Sequence, residues 1–445
     1  MDAIYATPFI PGVARGPLAR ESEPSPEALV MVTFDQLSRF RGSAAGLIVI
    51  GTAPLSHPML RLSVLEVPTV IVTPDQADRL RSGDVYVVDG THGIVVDARQ
   101  WERGAGRELS QDAPEAGRPL ATRDGTLVEL RASITGVEGA RQARRSGATA
   151  IGIVRSEYFM PADGTRPDAD FFRDRFTALC QAADGLQVTV RSIDLAPDKV
   201  PEWLPSIHGM RGLLGLRGAR LYDTEPVRSV FLDQARAAGE LVADCDIRLM
   251  LPYLVQMEEY RRWLADIRGV APEILPVGVM AETPAAALAV DEWLQQCDFV
   301  SLGCNDLMQC LFGADREIPE LADLLDPYAP VLFRFLRHVA AIAGHRVGEL
   351  QVCGLLSRVP RILPVLLGLG FRRFSLEPHL IPVLARTVRA TDLDTAEALA
   401  NAVCAETDAG AVRTMLGLRG AGAWREDEET ARSGGTARVG AGRRA

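Results

Sequence analysis

Lysine and asparagine are almost missing from this sequence. Of its 48 basic residues, 47 are arginine and one is lysine, Lys199, while asparagine occurs only at Asn305 and Asn401. The bias toward glycine, alanine and arginine is typical of codon-usage drift, so a surface cation in this sequence is arginine by default. A lysine that survives this drift indicates a position where a compact ammonium is needed and a planar guanidinium cannot serve, although chance survival explains it too.

Other absences exclude whole classes of protein. The net charge of −10 argues against a nucleic-acid binder, and seven scattered cysteines without a CxxC pair indicate neither a disulfide framework nor a zinc site. No apolar run reaches the length of about 18 residues that a membrane span needs. The first residues have no basic n-region and no apolar core, so no signal peptide is expected. No GxGxxG or GxxxxGK[ST] motif is present. These features predict a soluble cytoplasmic protein with no nucleic-acid or membrane partner.

The chain divides into four predicted parts. Residues 1–101 contain short β-branched runs (MVTF, GLIVI, PTVIV and DVYVVDG) around a helical pattern at 57–66, which predicts a small β/α domain. Residues 102–122 are polar and rich in glycine and proline, and are predicted to be a linker. Residues 123–418 are predicted to form the second domain. Residues 419–445 have few large apolar groups and are predicted to be a disordered tail.

The second domain alternates strand and helix patterns. Eight segments are predicted as strands: LVELRASI, AIGIVRSE, QVTVRSID, GLLGLR, IRLMLPYL, LPVGVMAET, DFVSLGC and LQVCGLL. Most are followed by a helical pattern, over about 280 residues. Such a number and length favour a (β/α)8 TIM barrel over an open doubly wound sheet.

A barrel of this kind has its active site at the carboxyl ends of its strands. The polar residues predicted at or just past those ends are Arg155, Glu157, Arg191, Asp194, Arg217, Glu282, Asn305, Asp306, Cys353, Lys199 and Arg316. Five of them are cations, which suits a small anion with several charges. Glu282 and Asp306, on neighbouring strands, suit Mg²⁺. Glu157 and Asp194 are interpreted as salt-bridge partners of the arginines and not as ligands.

Two further residues have chemistry of their own. Cys353, predicted at the end of the eighth strand, is either an inert buried thiol or a proton donor under the influence of nearby cations. His57 follows a buried strand and opens a helical pattern, where a phosphorylated imidazole would be stabilised by the helix N-terminus. A simple capping or surface histidine is the alternative.

Several motifs, in this order along the chain, resemble the phosphoenolpyruvate-utilising enzymes. They are RASITGVEGARQARRSGATAIGIVRSEYFM, VRSIDLAPDK, LGLRGARLY, GVMAETPAAA, SLGCNDLMQ, ADR and the CG at 353–354. The resemblance is to Enzyme I of the bacterial sugar phosphotransferase system, and it includes ATPFIPGVARGP and the SH…P segment at 56–68, which resemble the swivelling phosphohistidine domain of that enzyme.

The resemblance implies a role for each matching residue. Arg155, Arg191, Lys199, Arg217 and Arg316 would hold phosphoenolpyruvate, and Asn305 would contact its phosphate. Glu282 and Asp306 would bind Mg²⁺. Cys353 would protonate the enolpyruvate carbon, and His57 would accept the phosphoryl group. A homodimer is implied in the same way.

Three departures from the family pattern stand out. The helical domain that docks the phosphocarrier protein is absent, because residues 20–28 bridge its place. Leu55 and Ser63 replace a threonine and an arginine near His57, where Arg61 is a candidate substitute. Leu355 replaces a glutamate, and Arg211-Gly212 replaces an Asn-Pro pair.

The preferred hypothesis is therefore an Mg²⁺-dependent phosphotransferase that moves a phosphoryl group from phosphoenolpyruvate to His57 and then to an acceptor protein. Two alternatives stay open. In one, the barrel acts on phosphoenolpyruvate or a related oxoacid without a phosphohistidine. In the other, the protein is a non-catalytic phosphoenolpyruvate sensor.

Overall fold

The computed structural model describes residues 4–416 apart from 11, 21–24, 38–42, 51–58, 60–61, 63–66, 91–92, 104–113, 198–199, 213, 273 and 359–360. His57 and Lys199 fall in these gaps, as do most of the predicted helix at 57–66 and the predicted tail. The division of the chain into domains therefore stays a prediction, and the two sheets are described one at a time.

An open eight-stranded sheet occupies the first part of the chain, in the order β1-β8-β7-β3-β4-β5-β6-β2. Its strands are β1 Ile4–Tyr5, β2 Thr7–Ile10, β3 Val13–Arg20, β4 Leu29–Thr33, β5 Gly46–Ile50, β6 Thr69–Val72, β7 Val85–Asp89 and β8 Ile94–Asp97. The strands β3 to β6 run parallel, and the other pairs run antiparallel. Two apolar clusters pack against this sheet, so its central strands are buried on both faces.

A closed parallel barrel follows. Its strands are β10 Leu127–Ile134, β11 Ile151–Arg155, β12 Val188–Arg191, β13 Ile247–Leu251, β14 Val277–Ala281, β15 Val300–Gly303, β16 Gln351–Cys353 and β17 Arg373–Leu376. β10 pairs with both β11 and β17, which closes the ring. A short strand, β9 Leu120–Ala121, is antiparallel to β10. The predicted TIM barrel is therefore confirmed, and it follows a smaller β/α sheet.

Helices alternate with the barrel strands and cover their outer face. In the described residues, the α-helices of the first part of the chain are α1 Phe34–Leu37, α2 Pro74–Asp78 and α3 Ala98–Arg103. Those that follow are α4 Val137–Arg145, α5 Ala169–Ala183, α6 Val227–Leu241, α7 Met257–Arg268, α8 Pro284–Leu288, α9 Val290–Gln296, α10 Cys304–Phe312, α11 Pro330–Ala343, α12 Leu363–Gly368, α13 Ile381–Ala390, α14 Leu393–Ala405 and α15 Ala409–Met415. The apolar residues of strands and helices form one continuous core between the two layers. A separate small cluster fills the barrel interior: Ile153, Met250, Met280 and Cys353.

One predicted strand is wrong and another was missed. The described residues of GLLGLR, 212 and 214–217, contain turns and bends and no strand, and Gly212 has a φ of +56°, which strands do not use. The eighth strand is instead β17, whose short RFSL run lies between a helix and a proline. Cys353 consequently ends the seventh barrel strand, and Arg217 lies in the long loop after β12 and not at a strand end.

Within the described residues, no helix is long and apolar enough to cross a membrane.

The closing strand can be tested by truncating its core residue. Phe374 is fully buried on β17, so we expect Phe374→Ala to lower the free energy of unfolding by about 3–5 kcal/mol through lost burial and the resulting cavity. Denaturant unfolding measures the change. Leu127→Ala is the matched control, because Leu127 begins the neighbouring strand and is 62% exposed. Equal effects of the two substitutions would contradict the assignment of β17.

Candidate functional site

An open pocket of about 520 Å³ lies at the carboxyl ends of the barrel strands. Its polar lining includes Arg155, Arg191, Asp194, Glu282, Asn305, Asp306, Arg316 and Cys353. The structure therefore brings together all of the described residues predicted for the site, with Arg217 held against Asp306 at the pocket wall. What each residue does there stays a prediction. His57 and Lys199 lie outside the described residues.

The strand register places these side chains side by side. Arg155 and Arg191 end β11 and β12 and are direct neighbours across that strand pair. Glu282 directly follows β14, and Asn305 is the second residue of α10, the helix that follows the next strand, β15. Cys353 ends β16 opposite Gly303 of β15. Because parallel strands end at one edge, β11, β12, β14, β15 and β16 bring side chains at or just after their ends to one pocket.

Arg191 is surrounded by carboxylates. Its guanidinium is paired with Glu157, lies 3.0 Å from Asp194 Oδ2 and lies 3.7 Å from Glu282 Oε1. Burial by itself would lower the pKa of Arg191, but these carboxylates raise it well above its usual value. Arg191 therefore stays charged and lies within ion-pair distance of all three of these carboxylates.

A second ion-pair group centres on Asp306. Its Oδ1 accepts hydrogen bonds from Arg217 Nη2 at 3.0 Å and from Gln309 Nε2 at 2.7 Å, and Arg316 Nη1 lies 3.6 Å away. The Arg217 guanidinium also lies 4.7 Å from the ring centre of Tyr253. These groups are buried, so removing one partner would leave an uncompensated charge.

Arg155 differs from the other arginines of the pocket. It is half-buried and lines the pocket, yet among the described residues no carboxylate lies within ion-pair distance of its guanidinium. An arginine that lacks a protein partner and faces a cavity is available to an anionic ligand, to which its planar fork donates two hydrogen bonds.

Glu282 and Asp306 fit a divalent cation. Glu282 is 1% exposed, and its Oε2 has no hydrogen-bond partner within the described part of the chain. Burial, together with the charges of Asp306 and Asp194, raises the pKa of Glu282 well above its usual value. A cation would relieve this penalty. The described residues contain no group of three or more His, Cys, Asp or Glu side chains that could hold a metal ion. Mg²⁺ is the cation that can bind through two carboxylates, with water and substrate at its other positions.

The Cys353 thiol is protonated at neutral pH. Burial raises its pKa to about 11, although the Ser301 hydroxyl, Arg191 and Arg155 act in the opposite direction. Its Sγ lies 3.0 Å from the carbonyl oxygen of Leu302 and accepts a hydrogen bond from Ser301 Oγ at 3.5 Å. A buried thiol at the pocket surface with such a pKa is suited to give a proton and not to act as a nucleophile.

Two glycines make room for the side chains of Glu282 and Asn305. A Cβ at Gly303 would lie 2.5 Å from Glu282 Cγ, and a Cβ at Gly354 would lie 2.5 Å from Asn305 Oδ1. Gly354 also has a φ of +93°, which other residues rarely adopt. The positions of Glu282 and Asn305 therefore require residues without a Cβ atom at positions 303 and 354.

Sequence reasoning missed the polar residues that fix the loops of the site. Gln309 bonds Asp306 with its amide nitrogen and the Arg316 backbone N–H with its oxygen, at 2.8 Å. Gln234, on α6, accepts from the Ile193 backbone N–H at 2.7 Å and donates to Ser156 Oγ at 2.9 Å. Gln309 lies three residues after Asp306 on one helix, and this spacing predicts that the two side chains are neighbours. No comparable sequence pattern predicts the contacts of Gln234.

The buried charge of Glu282 predicts a stability gain when that charge is removed. Because the folded-state pKa is raised, the stability linked to protonated Glu282 is present at low pH and lost as pH rises through that pKa. We expect Glu282→Gln to raise the free energy of unfolding of the ligand-free protein at pH 8 by about 1 kcal/mol or more, and to gain less at pH 5.

Glu129→Gln is the control for this prediction. Pairing with Arg131 and Arg373 outweighs the effect of burial and lowers the pKa of Glu129, so its neutralisation should destabilise the protein at both pH values. Thermal unfolding at pH 5 and pH 8 checks both variants. A loss of stability in Glu282→Gln at pH 8 would show that Arg191 fully compensates this carboxylate.

Comparison with known proteins gives a consistent picture. The sequence matches the family described as "PEP-utilising enzyme, PEP-binding domain" over residues 110–393. It is 31% identical over 341 residues to a phosphoenolpyruvate-protein phosphotransferase of Bacillus sp. (strain S), covering 72% of this chain and 58% of that one. It is 29% identical over 389 residues to a multiphosphoryl transfer protein of Xanthomonas campestris pv. campestris, covering 84% of this chain and 46% of that one.

The other matches agree with these. A phosphoenolpyruvate-protein phosphotransferase of Haloferax volcanii is 28% identical over 386 residues, which cover 84% of this chain and 68% of that one. A solved citrate lyase from Burkholderia xenovorans has a TM-score of 0.39 and 16% identity, over 69% of this chain and 93% of that one, a likeness too weak to add to the argument. The chain spans little more than half of the length of the Bacillus relative. With its barrel and pocket described and the family match extending over most of its length, the chain belongs to the phosphoenolpyruvate-utilising enzymes.

Proposed function

We propose that this protein is an Mg²⁺-dependent phosphotransferase that moves the phosphoryl group of phosphoenolpyruvate to His57, releases pyruvate and passes the group to an acceptor protein. The observation that carries the proposal is the composition of one pocket. Among the described residues it holds a guanidinium with no carboxylate partner (Arg155), a buried carboxylate oxygen with no hydrogen-bond partner (Glu282 Oε2) and a protonated thiol (Cys353).

The formal charges of the pocket support this substrate. The described residues that line the pocket or pair with those lining it hold four guanidinium groups and five carboxylates, a net charge of −1: Arg155, Arg191, Arg217 and Arg316, with Glu157, Asp194, Glu282, Asp306 and Glu317. The ammonium of Lys199 would bring this total to zero, and a phosphoenolpyruvate trianion and one Mg²⁺ together would add one negative charge. Either ligand alone would leave at least two charges uncompensated, so the two should bind together.

In the proposed reaction, Arg155 and the neighbouring arginines bind and orient the ester. Glu282 and Asp306 would hold Mg²⁺, which supplies positive charge to the phosphoryl oxygens when bound. The bond between phosphorus and the enol oxygen breaks with its electron pair remaining on that oxygen, while a nitrogen of His57 bonds to phosphorus. Orientation and electrostatic stabilisation supply most of the catalysis in such transfers.

Cys353 completes the reaction. The enolate left after transfer takes the thiol proton at its methylene carbon, which gives pyruvate and a thiolate that regains a proton from water. Because the pKa of Cys353 is about 11, its thiol carries the proton at neutral pH. This irreversible protonation draws the phosphoryl transfer forward.

The acceptor is proposed to be a protein, because the relatives are named as protein phosphotransferases and as a multiphosphoryl transfer protein. A helical docking domain does not fit between β3 and β4, since Arg20 and Leu29 are separated by a short connection and the two strands pair directly. An acceptor would therefore have to dock elsewhere. The cytoplasmic location and the homodimer stay predictions.

The proposal predicts a covalent adduct. Incubation with phosphoenolpyruvate and Mg²⁺ should add one phosphoryl group to the wild-type chain, detected by intact mass at neutral pH. His57→Ala should abolish the adduct. His338→Ala is the control, because His338 lies exposed on α11, away from the pocket lining, and its loss should change nothing.

The outcomes separate the three hypotheses. An adduct that persists in His57→Ala would overturn the role of His57. Pyruvate release that survives His57→Ala but not Glu282→Ala would identify a barrel that acts without a phosphohistidine. Tight binding with neither adduct nor pyruvate would identify a sensor.

The charge balance predicts coupled binding. We expect Mg²⁺ to raise the affinity for phosphoenolpyruvate by about tenfold or more, a coupling of ordinary size between two ligands, as measured by calorimetry in His57→Ala to prevent turnover. Adding Glu282→Gln should remove most of this gain, whereas adding Glu138→Gln, on the exposed face of α4, should leave it unchanged. Equal affinities with and without Mg²⁺ would refute the two-ligand pocket.

A further inference from the structure

A column of hydrogen-bonded polar side chains lies beneath Cys353 in the barrel interior. Gln351, two residues before Cys353 on β16, donates from Nε2 to Ser301 Oγ at 3.1 Å and to the Gly152 carbonyl oxygen at 3.3 Å. Ser301 Oγ in turn lies 3.5 Å from Cys353 Sγ. Ser301, Gln351 and Cys353 are all buried, so water does not substitute for these contacts.

The base of the column fixes the orientation of the Gln351 amide. Arg131 Nη1 donates to Gln351 Oε1 at 3.5 Å, which turns the NH₂ group of the amide toward Ser301. Arg131 is itself held by Glu129 Oε2 at 2.6 Å. A guanidinium on the oxygen makes the amide NH₂ a better donor, because hydrogen bonds in a chain polarise one another.

This arrangement directs the Ser301 hydroxyl proton toward Cys353. Because Ser301 Oγ accepts from Gln351 Nε2, its own proton is given to Cys353 Sγ at 3.5 Å or to the Gln351 carbonyl oxygen at 3.3 Å. The carbonyl of Leu302 at 3.0 Å accepts from the thiol but cannot donate to a thiolate. Among the described side chains, Ser301 is the hydrogen-bond donor to Sγ, and the other interior neighbours, Ile153, Met250 and Met280, offer none.

The need for such a donor arises from the proposed proton transfer. When Cys353 gives its proton to the enolate carbon, the S–H bond breaks, the C–H bond forms and the electron pair stays on sulfur. The resulting thiolate lies buried, and burial disfavours its charge. Without a donor the transfer would leave an unsolvated anion in the barrel interior.

We propose that Ser301, oriented by Gln351 and Arg131, is a positioning residue that stabilises the Cys353 thiolate and thereby sets how readily Cys353 gives up its proton. Its catalytic consequence rests on the proposed function, but its effect on the thiol does not. The charged and titratable groups around Sγ, which are Glu282, Arg191, Arg155 and the thiol of Cys304, are unchanged in the variants below.

The test is the pH dependence of Cys353 alkylation in the full chain. Wild type, Ser301→Ala and Ser375→Ala react with iodoacetamide between pH 7 and pH 11, and mass spectrometry of the Cys353 peptide separates it from the other cysteines. At a pH below the thiol pKa the rate follows the thiolate fraction. We expect Ser301→Ala to slow the reaction about 3- to 10-fold and to move its profile to higher pH, the size expected for one hydrogen bond to a charged group.

Ser375→Ala is a matched control. Ser375 lies on the opposite neighbouring strand as the register partner of Cys353, is as buried as Ser301, and makes no hydrogen bond to Sγ. Its removal should change the rate less than about twofold, since only packing is affected. Gln351→Met keeps the size of the side chain but removes its amide, and should slow alkylation in the same direction by about two- to threefold, because it acts through Ser301.

Equal profiles for wild type and Ser301→Ala, or equal shifts in Ser301→Ala and Ser375→Ala, would overturn the proposal. If Ser301→Ala does not fold, Gln351→Met decides: an unchanged profile overturns the proposal. Alkylation needs no phosphoenolpyruvate, so its outcome is independent of whether His57 is phosphorylated. A missing phosphoryl adduct with the expected alkylation shift would defeat the phosphotransfer alone.

Discussion

The pairing of buried charges at the barrel mouth is the interaction on which the site depends. Arg191 pairs with three carboxylates, and Asp306 pairs with Arg217 and Arg316, so these buried charges connect strand ends and loops to one another. A buried charge is tolerated only with a partner. The groups left incompletely paired, Arg155 and Glu282, therefore mark where ligands of opposite sign would bind.

Much of this site could be predicted because barrel chemistry is tied to strand ends. Runs of β-branched residues predict where a strand ends, and the polar residue that follows each run is then expected at the carboxyl-terminal mouth of the barrel. Arg217 shows where this prediction fails. The apolar residues before it predict a strand, yet the segment also contains glycine, which favours turns. The strand that closes the barrel, RFSL, has only four residues and mixes polar with apolar side chains, so its pattern does not predict a strand. Gln234 was also invisible, because a glutamine on a helix gives no sign of facing inward.

The barrel interior adds a second level of organisation. In the proposed function the mouth supplies charge for binding, whereas the column from Arg131 through Gln351 to Ser301 supplies a hydrogen bond to the Cys353 thiol. Polar groups in a core are costly unless they are satisfied, and each member of this column has partners on other strands. The free-energy cost of burying these polar groups is offset in the reaction if the Cys353 thiol has to become a thiolate.

The most direct test of the central claim is the location of both ligands in one pocket. Crystals of His57→Ala soaked with phosphoenolpyruvate and Mn²⁺, as an anomalous-scattering substitute for Mg²⁺, should show one metal peak in contact with Glu282 and Asp306. The phosphoryl group should bridge that metal and Arg155, with the methylene carbon facing Cys353 Sγ. Metal density away from Glu282 and Asp306, or an ester bound outside the barrel mouth, would contradict the account.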